Sequence, residues 1–427
     1  EILDGLNPDQ EEAVLHDTGP LLVVAGAGSG KTRVLTHRIA RLVQEQGVSP
    51  FAILAITFTN KAASEMRSRV EGLIGSVAQR MWVSTFHSAC VRILRREAKV
   101  IGYPSSFTIY DHADAVRLTS YVLRDLNIDS KSNPPRSVHS TISAAKNEGR
   151  TAAEYLAMAG STHERRIGEV FEEYQRRLKA AGAMDFDDLL SVTVQLFKSN
   201  PDVLETWQRR FEYILVDEYQ DTNPVQNELV LLLASAAGNV CVVGDADQSI
   251  YRFRKADIRN ILEFEKAFPQ ATTVVLEQNY RSTQNILDAA NAVIDNNPDR
   301  APKRLWTEQG PGELIVRYHA EDEIDEATWV CNRLSLLHSR EHYRWGEMAI
   351  FYRTNAQSRV LEERLMRNGI PYKVIGGTRF YDRKEIKDAM AYLKAVINPT
   401  DEVSVKRVLN TPRRGVGDGS IAKLDLW

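Results

Sequence analysis

One short stretch constrains this chain more than any other: Gly26-Ala27-Gly28-Ser29-Gly30-Lys31-Thr32, set between the apolar run Leu21–Ala25 and a helical pattern over Thr32–Val43. A strand that ends in a glycine-rich turn and opens a helix aims backbone N–H groups at an anion, and the helix N-terminus adds positive potential. Lys31 would reach the β- and γ-phosphates of a nucleotide, and Thr32 would hold Mg²⁺. The usual spacing has Gly where Ala25 stands, a one-residue departure. Such a loop belongs to a parallel sheet. Further short β-branched runs follow at Ile53–Thr57, Met81–Val83, Tyr213–Val216, Val240–Val243 and Thr273–Leu276, with a helical pattern at Lys61–Ile74. Alternation of this kind predicts an α/β fold with helices on both faces of the sheet.

A phosphate loop hydrolyses nothing without an acid at the end of a neighbouring strand. Ile214-Leu215-Val216-Asp217-Glu218 supplies two. Asp217 would bind Mg²⁺ through water, and Glu218 would orient or deprotonate the attacking water. An apolar strand ending in two acids is common as plain surface, and only the pairing with the loop makes it specific. ATP and Mg²⁺ are the implied ligands. Asn7-Pro8-Asp9-Gln10 reads as a capping box, with Asn7 as N-cap, Pro8 first in the helix and Gln10 third. A role for Gln10 in recognising adenine does not follow from that stretch alone.

At 427 residues the chain exceeds one compact core, so more than one domain is expected. No apolar run approaches the roughly 18–20 residues of a membrane span, and no secretory leader opens the sequence. Three scattered cysteines fit a reducing compartment and argue against a disulfide framework. A net charge of −3 neither announces nor excludes a nucleic-acid partner, because phosphate-binding charge can be local. Arg92, Arg95 and Arg96 form one such cluster, Arg252, Arg254 and Lys255 another. From about Ser106 to Leu190 nearly everything reads helical, which predicts a domain inserted into the first α/β domain. A second α/β pattern follows, with strands expected near Leu314–Tyr318, Met348–Tyr352 and Tyr372–Ile375. The expected domains are 1–105 with 191–278, the insertion 106–190, a second α/β domain 279–388, and a further helical start over 389–427.

Taken together, Asn7–Ala13, Ala25–Thr32, Ile56–Met66, Ser84–Ser88, Asp185–Leu189, Val216–Asn223, Val243–Asp257, Leu276–Thr283, Tyr352–Arg359 and Tyr381–Asp388 resemble the UvrD/Rep/PcrA group of superfamily 1 helicases. The resemblance implies two RecA-like P-loop motor domains with helical insertions, the second incomplete here because family members continue beyond position 427. It implies a bacterial cytoplasmic enzyme of DNA repair or replication that moves 3′→5′ on single-stranded DNA and opens duplexes carrying a 3′ tail. A runner-up is an ATP-gated single-strand-binding module that does not unwind. By the same resemblance Gln10 reads adenine, with Arg33 and Tyr280 on its two faces. Gln248 contacts the γ-phosphate, and Arg281 is an arginine finger. The implied DNA contacts are Phe58, Thr85, His87, Phe186, Tyr251, Phe253, Arg254, Arg353 and Asn355. By residue type alone, Phe58, Phe186 and Phe253 would be core residues. Phe253 stands where many relatives have Trp, and Lys255 where they usually have Gly.

Overall fold

The computed structural model describes residues 2–249, 259–297, 303–375 and 384–424. Its strands are β1 (Leu21–Ala25), β2 (Ile53–Thr57), β3 (Trp82–Thr85), β4 (Thr108–Tyr110), β5 (Ala183–Asp185), β6 (Tyr213–Val216), β7 (Val240–Gly244) and β8 (Thr272–Leu276). Six of them form one sheet in the order β3-β2-β6-β7-β1-β8, parallel at each pairing. Their near-continuous apolar sequences suit a sheet covered on both sides. Alternate residues feed two cores. Leu22, Leu54, Ile56, Ile214, Val216 and Val242 face the helices Phe86–Glu97, Phe186–Ser199 and Pro224–Ala234. Leu21, Val23, Ala55, Leu215 and Val243 face Lys31–Gln44 and Asn60–Ile74. Because every strand runs the same way, all six C-terminal ends open at one edge of the sheet, where ligands of such folds bind.

Residues 106–190 are largely helical, and Val170, Tyr174 and Leu178 are buried together in one core. One correction applies. β4 and β5 pair in parallel as a small second sheet, so the block is not wholly helical. Residues of the last described segment join this core through Val403, and Tyr110 donates its hydroxyl to Asp401 at 2.5 Å.

By contact density the chain divides into Glu1–Gly312 with Asp388–Trp427 as one unit and Glu313–Lys387 as another. Within the second unit the helices Glu323–Arg340 and Asn355–Arg367 pack through Cys331, Leu365 and Ile370. The strands expected at Leu314–Tyr318, Met348–Tyr352 and Tyr372–Ile375 are not formed. A β-branched run becomes a strand only where a neighbour takes its N–H and C=O groups. None does so here among the described residues, and Leu314 and Phe351 remain 82% and 93% exposed.

Candidate nucleotide and nucleic-acid site

β1 runs into the phosphate loop, whose turn needs left-handed backbone at Gly28 (φ +66°) and Gly30 (φ +88°). A Cβ on Gly28 would also stand 2.5 Å from Asn279 Nδ2 and 2.8 Å from Arg281 Cβ, so glycine is required there twice over. Ser29 closes the turn by donating its hydroxyl to the Gly26 carbonyl at 2.7 Å. Ala25, the departure from the usual spacing, is the buried last residue of β1, and its backbone is not left-handed. Its methyl group is accommodated.

Gln10 does two things with one buried amide. Its Oε1 accepts from the Asn7 N–H at 3.1 Å, completing the capping box, and its Nε2 donates to the Ser29 carbonyl at 2.8 Å. Nearby, Tyr280 donates its N–H to the Gly28 carbonyl at 2.9 Å, and its hydroxyl accepts from Asn7 Nδ2 at 2.8 Å. Tyr280 as a whole is 45% exposed. Arg33 is exposed and donates to the Asp4 carbonyl at 3.3 Å. Asn279, which sequence reasoning missed, donates to the Ala27 carbonyl at 2.5 Å and accepts the Arg281 N–H at 2.8 Å. It thereby ties Arg281 to the phosphate loop. Nothing but its place within the Leu276–Thr283 segment signalled it.

At the end of β6, Lys31 Nζ lies 3.4 Å from Glu218 Oε2. Glu218 has left-handed backbone (φ +51°, ψ +45°), a conformation that costs a non-glycine residue on the order of 1 kcal/mol or more and clusters at functional sites. It is held there by Gln220 Nε2, which donates to its carboxylate at 2.8 Å. Asp217 is buried; its carboxylate takes hydrogen bonds from the Glu218 N–H at 2.9 Å and from Thr32. Burial, then the Glu218 charge, pushes it up to about 6 against the pull of Lys31. The two expected metal ligands are therefore in contact. A third acid, Asp221, unforeseen from sequence, is also pushed up to about 6 by burial and Glu218.

Gln248 donates Nε2 to Asp245 Oδ2 at 2.6 Å, and the Asp245 N–H donates to Gln220 Oε1 at 2.9 Å. A hydrogen-bonded path thus runs from Glu218 through Gln220 and Asp245 to Gln248. Buried Lys303 pairs with Asp245, and with Asp247 at 3.2 Å, anchoring the far end. Neither Gln220 nor Lys303 stood out in the sequence.

Along the same sheet edge, half-buried Phe58 follows β2. Thr85 ends β3 and caps the next helix, accepting the Ser88 N–H at 3.2 Å. His87 meets Phe186 edge-on, with ring centroids 6.0 Å apart. Burial lowers the His87 pKa. Phe186 is 50% exposed, so the core reading by residue type fails for it. Its helix start is fixed by a buried ionic cluster: Lys146 Nζ lies 2.7 Å from Asp185 and 2.8 Å from Asp188, and Tyr174 donates to Asp185 at 2.8 Å. Tyr251, Phe253 and Arg254, with Lys255, lie outside the described residues. Arg353 and Asn355 are exposed and belong to the other unit, where Asn355 opens a helix.

Comparison with known proteins gives the family of the chain. Residues 6–269 match the family model for the UvrD/REP helicase N-terminal domain, and residues 274–426 that for the UvrD-like helicase C-terminal domain. The chain is 53% identical over 424 residues to the ATP-dependent DNA helicase PcrA of Bacillus subtilis, covering 99% of this chain and 57% of the relative. It is 55% identical over 431 residues to the ATP-dependent DNA helicase UvrD1 of Mycobacterium bovis, covering 98% and 56%. A PcrA of Staphylococcus aureus is 53% identical over 423 residues, covering 99% and 58%. The chain thus spans a little over half the length of these relatives.

Proposed function

The chain belongs to the UvrD/REP helicase family, an α/β fold of RecA-like motor domains, and from that premise we propose that it is the ATP-hydrolysing part of a 3′→5′ DNA helicase. One observation carries this reading: Lys31, Asp217 and Glu218 gather at the C-terminal edge of one parallel sheet, and along that edge His87, two residues past β3, meets the exposed ring of Phe186, which follows β5 of the small second sheet. The donors gathered there fit Mg-ATP. Thr32 and Asp217 offer a hydroxyl and a carboxylate, hard oxygens of the kind Mg²⁺ takes alongside phosphate and water. Bound there, the metal would neutralise charge on the phosphates.

The residues then divide the work. Loop amides and Lys31 hold the phosphates, Lys31 exchanging the Glu218 carboxylate for phosphate oxygen. Glu218, so released, accepts a proton from the attacking water. Arg281, held beside Gly28 by Asn279, supplies a planar cation to the transferring group. Gln10, Arg33 and Tyr280 surround the position for adenine. Gln248, bound to Asp245 and through Gln220 to Glu218, reports the state of the site. Phe58, Thr85, His87 and Phe186 form a ledge for single-stranded DNA, with Tyr251, Phe253, Arg254, Arg353 and Asn355 as further contacts. Aromatic faces stack on bases irrespective of sequence, which suits a motor that passes every sequence. The domain scheme drawn from the sequence and a cytoplasmic setting belong to the same proposal.

The test, made on the whole protein of which this chain is proposed to be a part, is ATP hydrolysis with and without single-stranded DNA, followed by strand separation of duplexes with 3′ or 5′ tails. DNA-stimulated turnover with unwinding from the 3′ tail alone is expected. Stimulated turnover without unwinding from either tail would favour an ATP-gated binding module, and unstimulated turnover would overturn the reading.

A further inference from the structure

A concentration of positive charge flanks the edge of the main sheet, and the nucleotide site makes no use of it. β3 is the terminal strand, and its first residue, Trp82, packs edge-on against Trp207 and Phe211 with centroids 5.6 and 5.1 Å away. Arg92 places its guanidinium 3.6 Å from the Trp82 ring centre. Arg210 lies 5.4 Å from the same ring and 5.8 Å from Trp207, and Arg96 lies 5.8 Å from Trp207. Arg67 reaches in from the helix Asn60–Ile74 to donate to the Val83 carbonyl. Three separate helices thus deliver four guanidinium groups to one strand edge.

Two acids on these helices pair with other arginines, and a third sits inside the cluster on the Trp207 indole. Glu65 pairs with Arg69, Glu205 pairs with Arg209, and Glu97 accepts from the Trp207 indole. Among the described residues none of the four arginines has a carboxylate at ion-pair distance, and the Nε atoms of Arg67 and Arg210 are buried without an acceptor. Burial and then Arg210, Arg67 and Arg96 lower the pKa of Arg92, and burial and then Arg96 lower that of Arg210, the mark of cations repelling one another. One cation over a ring is favourable, and one charge is enough to blunt an edge strand. Four guanidinium groups around one Glu97 carboxylate, which is spent on the Trp207 indole and at ion-pair distance from none of them among the described residues, are not explained by either.

Position completes the argument. Trp82 precedes Thr85 by three residues, about 10 Å of strand. Arg92 stands six residues into the helix from Phe86, about 9 Å. A strand of DNA passing over Phe58 after β2 and then Thr85 and His87 after β3 has reached the last strand of the sheet, and the arginines flank that margin. We propose that Arg67, Arg92, Arg96 and Arg210 form a phosphodiester subsite that holds single-stranded DNA where it leaves the Phe58–Thr85–His87 ledge. Guanidinium groups set over aromatic faces are pre-oriented for bidentate contact with phosphate and read no sequence. This inference rests on the DNA reading of the ledge.

The test uses Arg92→Gln/Arg96→Gln/Arg210→Gln, the matching triple Lys variant, and the parent protein. Affinity for oligothymidylates of about 8 and about 20 nucleotides is measured by anisotropy from about 50 to about 200 mM salt. Each phosphate contact on a single strand contributes about 0.7 to the slope of log affinity against log salt, so the Gln triple should lower the slope by about 2 on the long oligomer and leave the short one near parental values. The Lys triple, which keeps the charge and controls for folding, should restore most of the slope. A parental slope for the Gln triple on the long oligomer overturns the subsite, as does a slope change confined to duplex DNA or to an acidic peptide probe. Absence of single-strand binding by the parent would instead sink the ledge itself, and so the two failures are distinguishable.

Discussion

Asp217 ionises near 3.8 in an unfolded chain and near 6 in the folded one, because burial and the Glu218 charge outweigh Lys31. Between those values the folded state holds the extra proton, so stability falls as pH rises through that window, and the penalty is complete above about 6. Asp217→Asn should therefore stabilise the nucleotide-free protein by about 1–3 kcal/mol at neutral pH and by nothing below pH about 4, while abolishing Mg²⁺-dependent turnover. Thermal melts at the two pH values check this; a gain that does not change with pH would remove the electrostatic cause. Glu218→Gln keeps Asp217 and Thr32 and should bind nucleotide with near-parental affinity but hydrolyse it about 10²–10⁴ times more slowly. Lys31→Ala should lose affinity and turnover together, since the charge aimed at the phosphates disappears. Fluorescent-nucleotide titration beside a turnover assay separates the two, and parental hydrolysis by Glu218→Gln would reassign the base.

Elements of the main sheet were legible because each rests on a pattern that local chemistry enforces. The run of β1 ends where a glycine begins and that of β6 where an acid begins, and β1, β2 and β6 fall where their apolar runs predict. Site residues at strand ends were legible for the same reason. What the sequence did not disclose depends on partners distant in the chain. Asn279 acts on Ala27, Lys303 on Asp245, and Lys146 on Asp185 and Asp188. No periodicity marks such residues. The expected strands of the 313–387 unit failed in the opposite way: the local pattern is present, but no neighbouring strand takes it up among the described residues. The helix carrying Phe186 shows what a distant partner does. Its capping box, Asp185 with Asp188, is bridged by one buried ammonium group, that of Lys146. Burial and Asp185 push Asp188 up to about 6 despite Lys146, so the balance is narrow. Lys146→Met would leave two carboxylates buried and unpaired, and should cost about 3–5 kcal/mol. Lys146→Arg should cost less. Phe186→Ala, by contrast, removes an exposed ring and should leave the melting temperature almost unchanged while weakening single-strand binding by about 1–3 kcal/mol, alike for every base composition. A large drop in melting temperature with unchanged DNA affinity would return Phe186 to a packing role.

At the scale of the whole molecule, the proposed ligands divide unequally between the two units. Every residue assigned to the nucleotide, from Gln10 to Arg281, lies within the unit that contains the main sheet. The residues assigned to DNA do not: Phe58, Thr85, His87 and Phe186 lie in that unit, Arg353 and Asn355 in the other. A ligand that binds only folded protein stabilises what it touches by RT ln(1 + [L]/Kd), about 2.7 kcal/mol at a hundredfold excess over Kd. Amides that exchange only when that unit opens should then slow about 100-fold. Mg-nucleotide with Glu218→Gln, chosen so that the ligand persists, should give this protection in the main-sheet unit, deepest at the phosphate loop and at Asp217–Asp221. It should leave the helices Glu323–Arg340 and Asn355–Arg367 exchanging at their ligand-free rates. Single-stranded DNA should slow exchange in both units, including the first turn of the helix that Asn355 opens. Hydrogen exchange followed by mass spectrometry reads both outcomes in one protein. Protection by DNA confined to the main-sheet unit would remove Arg353 and Asn355 from the DNA contacts while leaving the Phe186–His87 ledge intact. Protection of the 313–387 unit by nucleotide alone would show that it contributes contacts to the nucleotide beyond those assigned here.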